Sequence, residues 1–273
     1  MTNIRHACVA GTFYPADPAH LRAAIDACFA RRAAVVEPAV AEPGTSSKQR
    51  TKALIVPHAG YSYSGPIAAS AYARLAPQAA DIRRVVLFGP AHRWPLHGLA
   101  ICDAEAFETP LGRVPVARSA LAPLLEQGLV QRLDAAFEGE HSLEVQLPFL
   151  QHMLGDFELV PLLVGTASPV EVARVLAPLW GGAETLILIS SDLSHFLDDA
   201  RARALDAQTA AAILNLQPQA IGPEQACGRY PMSGLLQLAR ERGLSVEQLD
   251  LRNSSQTAGL PDRVVGYGAY AFH

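Results

Sequence analysis

The sequence predicts an α/β fold: a three-layer αβα sandwich around a mostly parallel, mixed central sheet, built as a single domain over residues 1–273. Two patterns predict it. Ala53 to Val56 (ALIV), Arg84 to Pro90 (RVVLFGP), Glu158 to Val164 (ELVPLLV) and Thr185 to Ser190 (TLILIS) are short continuous apolar runs, as in strands covered on both faces. Helical stretches lie between them, and a crossover of that kind joins parallel strands. Composition allows a large core, since 50% of the residues are hydrophobic and 18% are charged.

Taken in order, residues 4–15 form an irregular lead-in that packs Val9, Phe13 and Tyr14 against the body. Asp17 then caps a helix with Pro18 at its first position, and Leu21, Ile25, Cys28 and Phe29 share one face over residues 18–32. His20 reads as a surface residue and Cys28 as a core one. Pro38, Pro43, Gly44 and a polar tail make residues 33–52 a long surface loop. Gly60 and Gly65 let the chain turn after the first strand, ahead of a helix from Ile67 to Leu75. Leu99 to Asp103 is expected as a further strand, and Phe107 to Val116 holds a Pro-Leu-Gly turn between two extended pieces. A helix with loose ends covers Leu121 to Leu133. Leu143, Leu147, Leu150 and Leu154 form a helical stripe with Ser142 as N-cap, and Pro148 bends or delays that helix. An alanine-rich helix spans 198–216. Pro231 opens a helix over Met232 to Arg242 that Gly243 closes. Val264 to Phe272 alternates as a closing strand, antiparallel at an edge.

Three of these strands end in polar residues: His58, His92, and Asp192 with His195. Parallel strands place their carboxyl ends on one rim, where α/β proteins bind ligands, so the three positions are expected to share a crevice. Cys227, just before a predicted helix start, is where exposed N–H groups stabilise a thiolate. Cys8, Cys28 and Cys102 lack that setting and read as small buried side chains. Imidazoles with a carboxylate or thiolate ligate iron, copper or zinc, and two His with one acid suit non-haem ferrous iron. Acyl transfer by Ser190, Ser191 or Ser194 is the weaker reading, because no G-x-S-x-G elbow occurs. No G-x-G-x-x-G or P-loop occurs either, so dinucleotide and NTP cofactors are not expected.

A net charge of -4 with no basic block makes nucleic acid and anionic membrane poor partners. No apolar run reaches the roughly 18 residues of a membrane span. The amino-terminal stretch has no signal-peptide pattern, and the four cysteines form no C-x-x-C. A cytoplasmic protein is the expectation.

VPHAGYSYSG, LFGPAHRWPL, EHSLEVQLPFL, PLLVG, SSDLSHF and CGRYP stand in the order, and at about the separations, seen in the Memo family, and RHACVAGTFYP resembles that family's start. Nearly the whole chain is thus similar to proteins whose bacterial and archaeal members are called AmmeMemoRadiSam system protein B. The resemblance implies a fold like that of the class III extradiol dioxygenases, which are non-haem iron enzymes. It implies His58, His92 and Cys227 as metal ligands for iron or copper, with zinc as a third candidate. Asp192, His195, His141 and Glu144 become the catalytic lining, with His195 as acid/base and Asp192 fixing the tautomer of a neighbouring imidazole. Tyr230 stands where animal relatives tend to carry His, and Arg93 and Trp94 hold variable rim positions. The implied partners are a small molecule or peptide in the strand-end pocket and other AmmeMemoRadiSam system proteins.

Three functions follow. The leading one is a metal-binding redox protein, or an oxidoreductase of the non-haem-iron type with an extradiol-dioxygenase-like pocket. A thiolate ligand would favour Cu(I). The second is a non-catalytic module that binds a peptide or small ligand in the same pocket. The third is metal-assisted hydrolysis, marked by zinc.

Overall fold

A computed structural model describes residues 3–33 and 50–273. The chain runs β1 (Ile4–Arg5), α1 (Pro18–Ala33), β2 (Ala53–Val56), α2 (Tyr61–Tyr72), β3 (Arg84–Pro90), β4 (Leu99–Ile101), β5 (Ala106–Thr109), β6 (Gly112–Pro115), α3 (Arg118–Glu126), β7 (Gln131–Arg132), α4 (Leu147–Leu154), β8 (Glu158–Val164), α5 (Pro169–Leu176), β9 (Thr185–Ser190), β10 (His195–Leu197), α6 (Asp199–Leu214), α7 (Arg229–Glu241), β11 (Val246–Asn253) and β12 (Val264–Phe272).

The four apolar runs are the centre of the main sheet, in the order β2-β9-β3-β8, all parallel. Their core positions are fully buried, as helices on both faces require. Each side chain of the size of Ile55, Phe88 or Leu188 contributes about 1.5–3 kcal/mol by leaving water. Antiparallel strands flank this centre: β12 beside β2, and β4 beside β8. The fold is therefore mixed α/β, an αβα sandwich with α1, α2 and α4 in one group and α5, α6 and α7 in another. A small second sheet, β1-β5-β6, carries the lead-in.

Several elements differ from the sequence reading. The helix after β2 begins at Tyr61, not Ile67, with Pro66 inside it. Gly65 is helical, and its missing side chain admits α1: a Cβ there would lie 2.5 Å from Cys28 Sγ. The helix expected through Leu133 stops at Glu126, and Gly128 turns the chain with a φ of +65° into β7. Ser142 caps nothing; its hydroxyl donates to Pro90 O, and α4 starts at Leu147 with Pro148 in its first turn. The closing strand is antiparallel but interior. β11, which the sequence reading lacked, covers its far side and takes the edge. The loop expected over 33–52 lies, for residues 34–49, outside the described residues.

Candidate metal centre

His58, His92, Asp192 and His195 follow the carboxyl ends of β2, β3 and β9, and parallel pairing brings those ends to one rim. The segment 138–146, ahead of α4, adds His141. One ligand atom from each of His58, His92 and His141 falls within 4.8 Å of the other two. The His92 and His141 rings stack with centroids 4.8 Å apart, and His58 meets both edge-on. Exposure is graded across the set: His58 is 1% exposed, whereas the His92 and His141 side chains keep 28% and 20%.

Hydrogen bonds decide which nitrogen of each ring is free. The Ser190 hydroxyl gives its one proton to Ser142 O at 2.6 Å and accepts from Gln146 Nε2 at 2.8 Å. It can therefore only accept from His58 Nδ1, at 2.9 Å. His58 is then the Nδ1–H tautomer with a bare Nε2. At His92 the partner is Glu140, whose Oε1 lies 2.9 Å from Nδ1, again leaving Nε2 bare. Glu140 also accepts the backbone N–H groups of His92, His141 and Ser142. Burial works to raise its pKa, but the His92 side chain and these backbone donors outweigh it and hold the carboxyl at about 2. Desolvation, reinforced by the neighbouring imidazoles, holds His58 well below its ordinary range. His141 falls to about 4, chiefly by burial, against the pull of Glu140. His58 and His92 each engage Nδ1 with a fixed partner and keep Nε2 for another, which for His58 is the Cys227 thiol, so the donor set fits a transition metal.

The other expected site residues are placed as follows. Cys227 Sγ lies 3.4 Å from His58 Nε2, directly before Gly228, the N-cap of α7. Burial, with Asp192 adding to it, pushes its pKa strongly up, and the backbone of Gly228 at that helix start pulls the other way without prevailing. Close approach here depends on Gly228, since a Cβ there would lie 2.6 Å from Ser191 Cβ. Asp192 orients no imidazole ring. Its Oδ1 accepts the backbone N–H of His58 at 2.7 Å, while burial raises its pKa against the pull of His195. His195 sits on β10, close enough to act on both Asp192 and His58. The next residue, Phe196, is held at a φ of +61°, a strained value for a non-glycine, with its ring 59% exposed. Glu144, three residues after His141 and close enough to raise its pKa, hydrogen-bonds no imidazole among the described residues. It is fully buried and accepts from the N–H groups of Cys8 and Val9, the Tyr14 hydroxyl and Arg5. Its carboxylate fastens the lead-in to the body.

Glu140 and Ser190 are the residues that sequence reasoning missed in these roles. Glu140 adjoins His141 in EHSLE, and Ser190 ends TLILIS, but nothing local marks either as the partner of a distant ring.

Residues 5–271 match the family model described as Memo-like protein. A MEMO1 family protein of Ignicoccus hospitalis is 35% identical, with 98% of each chain covered. One of Methanococcoides burtonii is 35% identical over 97% of this chain and 98% of its own, and one of Methanosarcina barkeri is 33% identical over the same shares. Among solved structures, an uncharacterised protein of Escherichia coli K12 is similar with a TM-score of 0.52 and 14% identity. The match covers 80% of this chain and 99% of that one, a likeness of fold.

Proposed function

The chain belongs to the Memo-like family, and from that premise we propose that it binds one transition-metal ion, iron or copper, and acts as an oxidoreductase on a small molecule or peptide at the strand-end rim. The observation that carries this reading is the convergence of His58, His92 and His141. A redox metal held there supplies one-electron chemistry and activation of oxygen. The chain's own residues do the rest. Ser190 and Glu140 fix the ring orientations of His58 and His92, so the ligand atoms are set before metal arrives. Cys227 stands beside His58 as a fourth donor or an alternative third. His195 serves as acid/base, and Asp192 anchors the backbone of His58 and supplies a buried negative counterweight. No carboxylate belongs to the set, since Glu140 stands behind His92; this leans the metal toward copper rather than ferrous iron.

The same all-imidazole set favours a second reading. Three His ligands with an open position are a known arrangement of catalytic zinc, which supports metal-assisted hydrolysis.

Metal content by mass spectrometry on protein purified without air separates these readings. We expect near-stoichiometric iron or copper in the parent and none in His58→Ala/His92→Ala. Comparing His141→Ala with Cys227→Ala shows which supplies the third ligand. Stoichiometric zinc transfers the argument to hydrolysis. Absence of metal even after anaerobic loading with Fe(II) and Cu(I) would sink both and leave a ligand-binding module.

A further inference from the structure

A cavity of about 610 Å³ opens at the opposite rim of the sheet. Arg83, just before β3, and Glu158, the first residue of β8, both line it, so it lies at the amino ends of the strands whose carboxyl ends carry the histidines. Seven residues of β3 separate the two rims, a span on the order of 20 Å. The cavity therefore shares no residue with the metal centre.

Its chemistry is mixed in a particular way. Three arginines line it from three elements distant in sequence: Arg22 from α1, Arg83 from the approach to β3, and Arg113 from β6. Leu111, Val114 and Phe157 give it an apolar wall. Two acids, Asp156 and Glu158, also line it, and Glu158 is paired with Arg84 at 3.4 Å. Arg113 is paired with Glu108 from outside, and His152 with Asp26. Among the described residues the Arg83 side chain donates only to its neighbour's carbonyl, Ile82 O, and Arg22 makes no ion pair. Positive charge is thus in surplus. Like charges gathered at one cavity repel, and a shared anion relieves that repulsion. Guanidinium forks match carboxylate and phosphate oxygens in two-point contacts.

We propose that this cavity is a second binding site, for a small amphipathic anion: a phosphate monoester or carboxylate carried on an apolar body, with the anion on Arg22 and Arg83 and the body against Leu111, Val114 and Phe157. The site is independent of the metal centre and does not rest on its function.

Amide-resolved NMR titration of the full chain tests it, with phenyl phosphate, benzoate, inorganic phosphate and phenol as probes. Phenyl phosphate or benzoate is expected to shift the amides of Gly112, Gly155 and Phe157 saturably. Phenol and inorganic phosphate, each lacking one half of the chemistry, bind about tenfold more weakly or worse. Arg22→Ala/Arg83→Ala loses about tenfold in affinity for the better probe, and Arg83→Glu alone loses at least as much. Tighter phenyl phosphate identifies a phosphate site, and tighter benzoate a carboxylate site. No saturable shift at these amides with any probe, shifts that persist unchanged in both variants, or shifts confined to the amides of His92 and Glu140 overturn the proposal.

Discussion

At the carboxyl rim, Glu140 accepts four hydrogen bonds from three consecutive-in-space backbone groups and one imidazole, and Ser190 joins His58, Gln146 and Ser142. At the amino rim, Arg83 donates to a single adjacent carbonyl, and the surrounding ion pairs are largely exposed. At the first rim, buried or half-buried polar groups are held by several hydrogen bonds apiece at Glu140 and Ser190. The other keeps its charges in water, where long side chains reorient freely. The first is built to hold a small ion in fixed geometry, and disturbing it disturbs the fold. The second can change its charges at little expense to the fold, so binding and stability separate there.

Substitutions can break this contrast. The largest effect is expected for Glu140→Ala, which leaves one buried and three part-buried donors without their acceptor and should lower the unfolding free energy by about 3 kcal/mol, read by urea denaturation. Ser190→Ala removes the acceptor shared by His58 and Gln146, and a loss of about 2 kcal/mol is expected together with weaker metal retention. Asp206→Asn is next. Its Oδ1 accepts the N–H of Ser194, one residue before His195, and a loss of about 1 kcal/mol is expected by urea denaturation. Arg22→Ala/Arg83→Ala should be smallest, within about 0.5 kcal/mol of the parent, because exposed arginines carry little of the fold.

Acid sharpens the same contrast. Folded Glu140 titrates at about 2 against 4.5 when exposed, so the unfolded chain binds more protons between those values. Its contribution is complete above pH 4.5 and is lost as pH falls toward 2. His141, at about 4 in the fold against 6.5 when exposed, works with the same sign: the unfolded chain takes up the proton first, so stability declines from pH 6.5 downward. Urea midpoints measured across this range should fall with pH, and Glu140→Gln should flatten the part below pH 4.5.

Much of the rim was legible in the sequence because burial on both faces forces an unbroken apolar run, and such runs end visibly at His58, Pro90 before His92, and Ser190. β11 was not legible. VEQLDLRN is half-buried with a register shift after Gln248, so neither the apolar nor the alternating pattern is kept. The start of α2 was hidden by Gly65-Pro66, residues that usually break helices but here serve packing against α1. The roles of Glu140, Ser190 and Glu144 depend on partners far along the chain, and the donors that a carboxylate will accept from cannot be read from its neighbours. Glu144, expected at the site, is occupied instead with residues 5–14.

The interior position of β12 has a consequence for biosynthesis. β2 pairs with it on the side away from β9, yet β12 is made after β2, β3, β8 and β9. Until β12 emerges, the nascent sheet therefore presents β2 as a bare, fully apolar edge, the kind that invites pairing with another chain. The rim beside β2 is covered only once β12 has been added, so a premature stop codon before Val264 should yield aggregate rather than a soluble fragment, read by the share of the product that stays in the supernatant.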